Sequence, residues 1–133
     1  METTTANRMM KIVISTSTNS LDGPFDRRFG RAPFLSIMNT ETGSWEACAN
    51  PGMGAAGGAG MLASQFVVEQ DVQAAISGGY GPNAYMTLSA ADIQMYLAPA
   101  GKELTGLEVL DLYRQGKLEQ AAFPTEPGRR DSQ

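Results

Sequence analysis

The chain reads as a mixed α/β domain, and three observations predict it. "MMKIVIST" at residues 9–16 is nearly continuous in apolar, β-branched residues, as in a strand covered on both faces. Three later segments carry helix-start signals and are separated by further short apolar runs. The length, 133 residues, suits one buried core and is short for two.

After the first strand, residues 17–33 hold turn formers at Asn19, Asp22-Gly23-Pro24 and Gly30 before Pro33, so a long loop follows. Loops of that length in compact domains are usually functional or mobile. Residues 34–50 split into two strand-like runs around Thr42-Gly43, an antiparallel hairpin with its turn at Glu41 to Ser44. A helix is expected from about Gly58 to Gln70, with Met61, Leu62, Gln65 and Phe66 along one side. "VQAAIS" (72–77) is a buried strand, and the glycines after it lead into a second helix with Pro82 in its first turn. "IQMYLA" (93–98) is a further strand. The last helix has Thr105 and Glu108 at capping-box spacing, Leu107 and Leu110 at helical spacing, and Gly116 to stop it. Five strands and three helices result. Residues 1–8 are expected to be an N-terminal extension, 9–123 the domain, and 124–133 a disordered tail.

Composition narrows the function. Ten basic against fourteen acidic residues disfavour a nucleic-acid partner. No run is apolar enough to span a membrane, and the N-terminus lacks a secretory pattern, so the cytoplasm is the expected compartment. Histidine is absent and Cys48 is the sole cysteine, which excludes an internal disulfide and the commonest transition-metal ligand. Cys48 itself reads either as a thiolate ligand or, more often for a lone strand cysteine, as a small buried hydrophobe. No base is available to activate a serine or cysteine nucleophile, and no carboxylates converge on the first strand, so enzymatic function is not expected.

Right-handed crossovers through the first two helices place the N-terminal strand at the centre of the sheet, with the hairpin on one side and the strands at 72–77 and 93–98 on the other. Chain order reverses there, and ligands of open α/β sheets bind at such a point. Ser15 and Thr16 end the first strand. Gly79, Gly81 and Asn83 lie where the next strand turns into a helix, and unpaired N–H groups at a helix start favour an anion. Gly57 and Gly58 close the glycine-rich stretch "NPGMGAAGGAGM" (50–61) before the first helix. That stretch serves either as a flap with open backbone amides or as a turn that lets the helix pack tightly. Arg27, Arg28 and Arg31 cluster in the long loop and could clamp an oxyanion, or pair with Asp22 and Asp26. Tyr80 and Tyr85 fit either ligand stacking or helix packing.

Taken in order, "KIVISTS", "FDRRFGRAPFLSI", "NPGMGAAGGAGM", "AAISGGYGPNAYMTL" and "LEVLDLYRQGKLEQA" resemble the dinitrogenase iron-molybdenum cofactor biosynthesis family over residues 10 to 122. The resemblance implies a ribonuclease H-like motif with a five-stranded mixed sheet and three helices. It also implies a non-enzymatic carrier for an iron-molybdenum cofactor, another molybdenum or iron-sulfur cluster, or a precursor, working with a cofactor-assembly protein in nitrogen fixation. Relatives often have histidine where this chain has Arg28 and Ala56, so no imidazole holds the cargo here. The candidate binding residues are thus Ser15, Thr16, Arg27, Arg28, Arg31, Gly57, Gly58, Gly79, Gly81 and Asn83, with no metal ligand among them. The alternative is a protein-interaction or regulatory module that has lost metal binding.

Overall fold

The computed structural model describes residues 10–124. The expected extension at 1–8 and the expected tail beyond residue 124 lie outside the described residues. β1 (Lys11–Thr16), β2 (Phe34–Asn39), β3 (Trp45–Ala49), β4 (Ala74–Ser77), β5 (Gln94–Leu97) and β6 (Glu119–Gln120) form one sheet in the order β3-β2-β1-β4-β5-β6. β1 runs parallel to β4 and β4 to β5, while the other neighbours are antiparallel. The first strand is central, as its apolar continuity predicts.

The sheet has six strands, not the expected five. β6 is only two residues long and pairs Glu119 with Leu97 and Gln120 with Tyr96. Ala121 N–H extends this pairing to the Met95 carbonyl. A two-residue strand of exposed polar side chains has no periodicity to betray it; it covers part of the edge that β5 would otherwise leave open.

Alternation along the strands divides the core in two. Val13, Leu35, Ala75 and Met95 face α1 (Ala59–Glu69) and α2 (Pro82–Ala90). Ile12, Ile14, Ala74 and Ile76 face α3 (Gly106–Arg114) on the opposite side. Both faces of the central strands are therefore covered, which explains why they carry almost no polar side chains until their carboxyl ends.

α1 buries Ala59, Ala63, Ser64 and Val67, not the expected side marked by Met61, Leu62, Gln65 and Phe66. Leu62 is 40 % exposed. The cause is close packing between α1 and α2: a Cβ on Gly60 would lie 3.5 Å from the Cβ of Ala84, so small residues face inward and larger ones are turned outward. In α3 the buried residues are Gly106, Val109 and Leu110, while Leu107 is exposed. No helix among the described residues is long and apolar enough to cross a membrane.

Candidate functional site

The loop after β1 folds back on the sheet. Asp26 N–H donates to the Ser15 carbonyl at 3.0 Å, and Gly78 N–H donates to the Arg27 carbonyl at 3.1 Å. A Cβ on Gly78 would lie 2.7 Å from that carbonyl oxygen; only glycine lets the loop sit on the end of β4. Beyond this contact Phe29 is buried against Tyr80, ring centres 5.4 Å apart. The Tyr80 hydroxyl bonds to the carbonyls of Ala75 at 3.0 Å and Tyr96 at 2.9 Å, and burial pushes its phenol far above the usual range. Tyr80 is thus a structural post, the packing member of the two roles open to it.

The glycine-rich stretch is tied to the same loop. Asn50 is buried; its amide donates to the Phe29 carbonyl at 3.0 Å, and its side-chain oxygen accepts from Gly52 N–H at 3.0 Å. Gly52 is wedged so that a Cβ would approach the Ala59 oxygen to 2.4 Å and the Gly30 oxygen to 2.6 Å. A Cβ on Gly54 or Gly57 would meet nothing within 4 Å. The stretch therefore divides in two, an end that must be glycine to pack and a middle where side chains are simply missing.

These contacts border an open cavity of about 320 Å³. One wall is the loop segment Arg28 to Arg31; the first turn of α1 contributes Ala59 and Gly60; Gly79, Gly81 and Ala84 form the third side. The starts of α1 and α2 open onto it together. Neither has a side-chain cap: the N-cap residues are Gly58 and Gly81. The N–H groups of a first helical turn have no partner within the helix, and each helix start carries roughly half a positive charge. Pro82 at the start of α2 lacks an N–H, so that end offers fewer donors than α1.

Two arginines face this cavity and are held differently. Arg28 Nε donates to Asp26 Oδ1 at 3.0 Å and Arg28 Nη2 to Asp26 Oδ2 at 2.9 Å, a two-pronged pair, while the Arg28 backbone N–H reaches Oδ1 at 2.9 Å. Burial alone would raise the Asp26 pKa, but the hydrogen bonds and charge of Arg28, with Ser17 Oγ at 3.1 Å, outweigh it and hold the carboxyl below its usual range. Arg31 Nη1 donates instead to main-chain carbonyls of the glycine-rich stretch, Met53 at 3.3 Å and Ala55 at 2.5 Å.

Among the residues marked from the sequence, Arg28, Arg31, Gly79 and Gly81 line the cavity. Gly58 ends the glycine stretch as the α1 N-cap, with φ of 70°, and Gly57 precedes it. Asn83 is exposed on the first turn of α2. Ser15 and Thr16 are buried within the sheet, where Ser15 Oγ donates to the Asp26 carbonyl at 2.6 Å and Thr16 Oγ1 donates to the Thr18 carbonyl at 2.9 Å. Their hydroxyls also meet Ser77 Oγ at 2.8 Å and Ser36 Oγ at 3.0 Å, respectively. Arg27 turns to the far side of the loop, donating from Nη1 to the Pro99 carbonyl at 2.8 Å and from Nη2 to the Ala98 carbonyl at 3.1 Å.

Sequence reasoning missed two builders of this site, Asp26 as more than a partner in sequence, and Asn50. An Asn before Pro-Gly is a turn signal that marks Asn50 in retrospect. Cys48 lies half-buried in β3, outside the cavity lining, with its thiol pushed up by burial and by Glu46. No group of three or more acidic, histidine or cysteine side chains among the described residues is arranged to hold a metal ion. The cavity's chemistry is donor-rich and cationic, suited to an anion held through hydrogen bonds.

The sequence profile of the dinitrogenase iron-molybdenum cofactor family matches residues 10–116. The apo form of the orange protein from Desulfovibrio gigas is similar in structure, with a TM-score of 0.81 and 28 % identity over 89 % of this chain and 98 % of that one. So is a Thermotoga protein assigned to NifB and to the DUF35 family, solved by NMR, with a TM-score of 0.75 and 29 % identity over 90 % of this chain and 100 % of that one. Among curated proteins, none matches.

Proposed function

The chain belongs to the dinitrogenase iron-molybdenum cofactor family, and from that premise we propose that it is a non-enzymatic carrier for an anionic metal-sulfur cofactor or precursor, bound in the cavity between the loop, α1 and α2. One observation supports this most: two uncapped helix starts and two arginines meet at a cavity whose lining offers no metal-ligating side chain. Such a site grips the outside of a cargo rather than coordinating its metal. Guanidinium groups are weakly hydrated and stay charged, and main-chain N–H groups are already fixed in place, so a large, sulfide-rich anion of low charge density loses little hydration on entering.

In this reading Arg28, Arg31, Gly79 and Gly81 face the cargo, with the amides of the α1 first turn beside Gly58. Gly57 and Asn83 stand at the margin. Ser15 and Thr16 support the floor through the loop, and Arg27 secures it from behind. The cargo's metals supply the redox and bonding chemistry; the protein's part is to hold, orient and release. A cofactor-assembly protein in the cytoplasm is the partner this role calls for.

The test is anaerobic incubation of the full chain with tetrathiomolybdate, gel filtration and elemental analysis. Molybdenum is expected to co-elute and the thermal midpoint to rise. Loss of a charge-assisted hydrogen bond costs about 1.5–3 kcal/mol, so Arg28→Ala and Arg31→Ala should each weaken binding roughly tenfold to a hundredfold. Absence of co-elution and of any thermal shift, with a histidine-bearing relative succeeding under the same conditions, would overturn the proposal.

A further inference from the structure

We propose that Asp26 is a positioning residue for the anion site, aiming the Arg28 guanidinium at the cavity without itself touching the cargo; this rests on the cavity being the anion site. Asp26 is 6 % exposed, the only charged side chain among the described buried residues. A carboxylate so placed is costly unless fully partnered, and its partners are specific. Arg28 supplies three of its hydrogen bonds, from the backbone N–H, Nε and Nη2.

The Asp26 main chain is secured independently of that carboxylate. Its N–H donates to the Ser15 carbonyl at 3.0 Å, and its own carbonyl accepts from Ser15 Oγ at 2.6 Å. Asp26 therefore stays on the sheet without its carboxylate, whose partners are the Arg28 guanidinium, the Arg28 main-chain N–H and Ser17 Oγ. Pairing through Nε and one hydrogen of Nη2 leaves both hydrogens of Nη1 and the second of Nη2 for a ligand. Arg28 stays 60 % exposed even though paired, so without Asp26 its long side chain would sample many rotamers that binding must then freeze.

The carboxylate has an opposing effect, because a negative charge behind the guanidinium repels an anion. The sign of one measurement therefore separates orientation from charge. Immobilising a rotamer-rich side chain costs about 0.5–1.5 kcal/mol, so Asp26→Asn in the full chain is expected to weaken tetrathiomolybdate binding roughly twofold to tenfold. In an Arg28→Ala background the same substitution should no longer weaken binding, and loss of the repelling charge should leave affinity equal or tighter, because orientation acts through Arg28 alone. Unchanged or tighter binding by Asp26→Asn, or an equal loss in both backgrounds, would overturn the assignment.

Arg28→Lys, a substitution at an exposed side chain, serves if Asp26→Asn does not fold. It keeps the charge but cannot make the two-pronged pair, and its affinity should fall by a similar factor; affinity equal to the parent overturns the proposal. If the parent chain binds no tetrathiomolybdate, the carrier reading fails, and the Arg28 Nε–H signal in NMR decides the positioning role alone. Slow solvent exchange at Arg28 Nε–H relative to Arg31 upholds it, and equally fast exchange at both overturns it.

Discussion

Two kinds of helix start occur in this molecule. α3 begins with Thr105, whose side chain accepts from Glu108 N–H at 3.1 Å while Glu108 Oε1 accepts from Thr105 N–H at 2.8 Å, a closed reciprocal box. α1 and α2 begin with Gly58 and Gly81 and have no side-chain cap. α3 lies on the opposite face of the sheet from the cavity, whereas the other two open onto it. The donors at the α3 end are taken up, Glu108 N–H by Thr105 and those of Gly106 and Leu107 by the Gly23 and Leu21 carbonyls; no side chain caps the other two. Capping chemistry, read position by position, thus separates a closed helix start from two that no side chain caps.

The sharpest way to break this comparison is to fill the space that keeps the open ends in place. Gly52→Val would press a side chain into the Ala59 and Gly30 oxygens, an overpacking that costs about 1–3 kcal/mol; urea denaturation should register that loss, together with loss of anion binding. Acid comes next. Folding lowers the Asp26 pKa, so below the unfolded value of about 3.9 the unfolded chain takes up a proton before the native one does. Its contribution is complete above that pH and disappears as pH falls through the lower folded value. The gap in thermal midpoint between the parent and Asp26→Asn should narrow over that window and stay constant above it.

Thr105→Ala should cost about 1 kcal/mol of stability and leave anion affinity unchanged, because the closed end takes no part in binding. A matching loss of affinity would erase the distinction between the two kinds of start. Gly81→Asp has the smallest effect on stability. The N-cap there is extended, φ −68° and ψ 173°, so aspartate can cap α2 and add a few tenths of a kcal/mol. The same carboxylate would occupy the amides and repel an anion; undiminished tetrathiomolybdate binding by this variant would mean that the α2 start is not used.

Much of the fold was legible because its signals are local. The Thr105–Glu108 box, Pro82 in the first turn of α2 and the apolar continuity of β1 each depend on a few adjacent residues, and right-handed crossover then orders the central strands. The face of α1 was not legible, because which side is buried depends on Gly60 meeting Ala84 across a helix pair, not on where the largest apolar residues stand. At the site, the glycine turn and the arginine cluster could be found by residue type. Their division of labour could not: adjacent Arg27 and Arg28 leave the loop on opposite sides, and nothing in the pair of letters distinguishes them. Ser15 and Thr16 had the right address, at the carboxyl end of the central strand, but neighbouring hydroxyls from β2 and β4 already engage them.

The bonds from Arg27 to Ala98 and Pro99, with Gly78 N–H on the Arg27 carbonyl, rivet the rear of the loop after β1 to the ends of two strands. The front is fastened by Arg31 to the carbonyls of Met53 and Ala55, which flank Gly54, where an added Cβ would meet nothing. The rear of the loop is thus tied to the sheet, while the segment between Met53 and Gly57 hangs on Arg31 and has little side chain to pack. Hydrogen exchange at the amides of residues 53–57 should accordingly outpace that of residues 26–30, and equal protection on the two sides would mean that both are held alike.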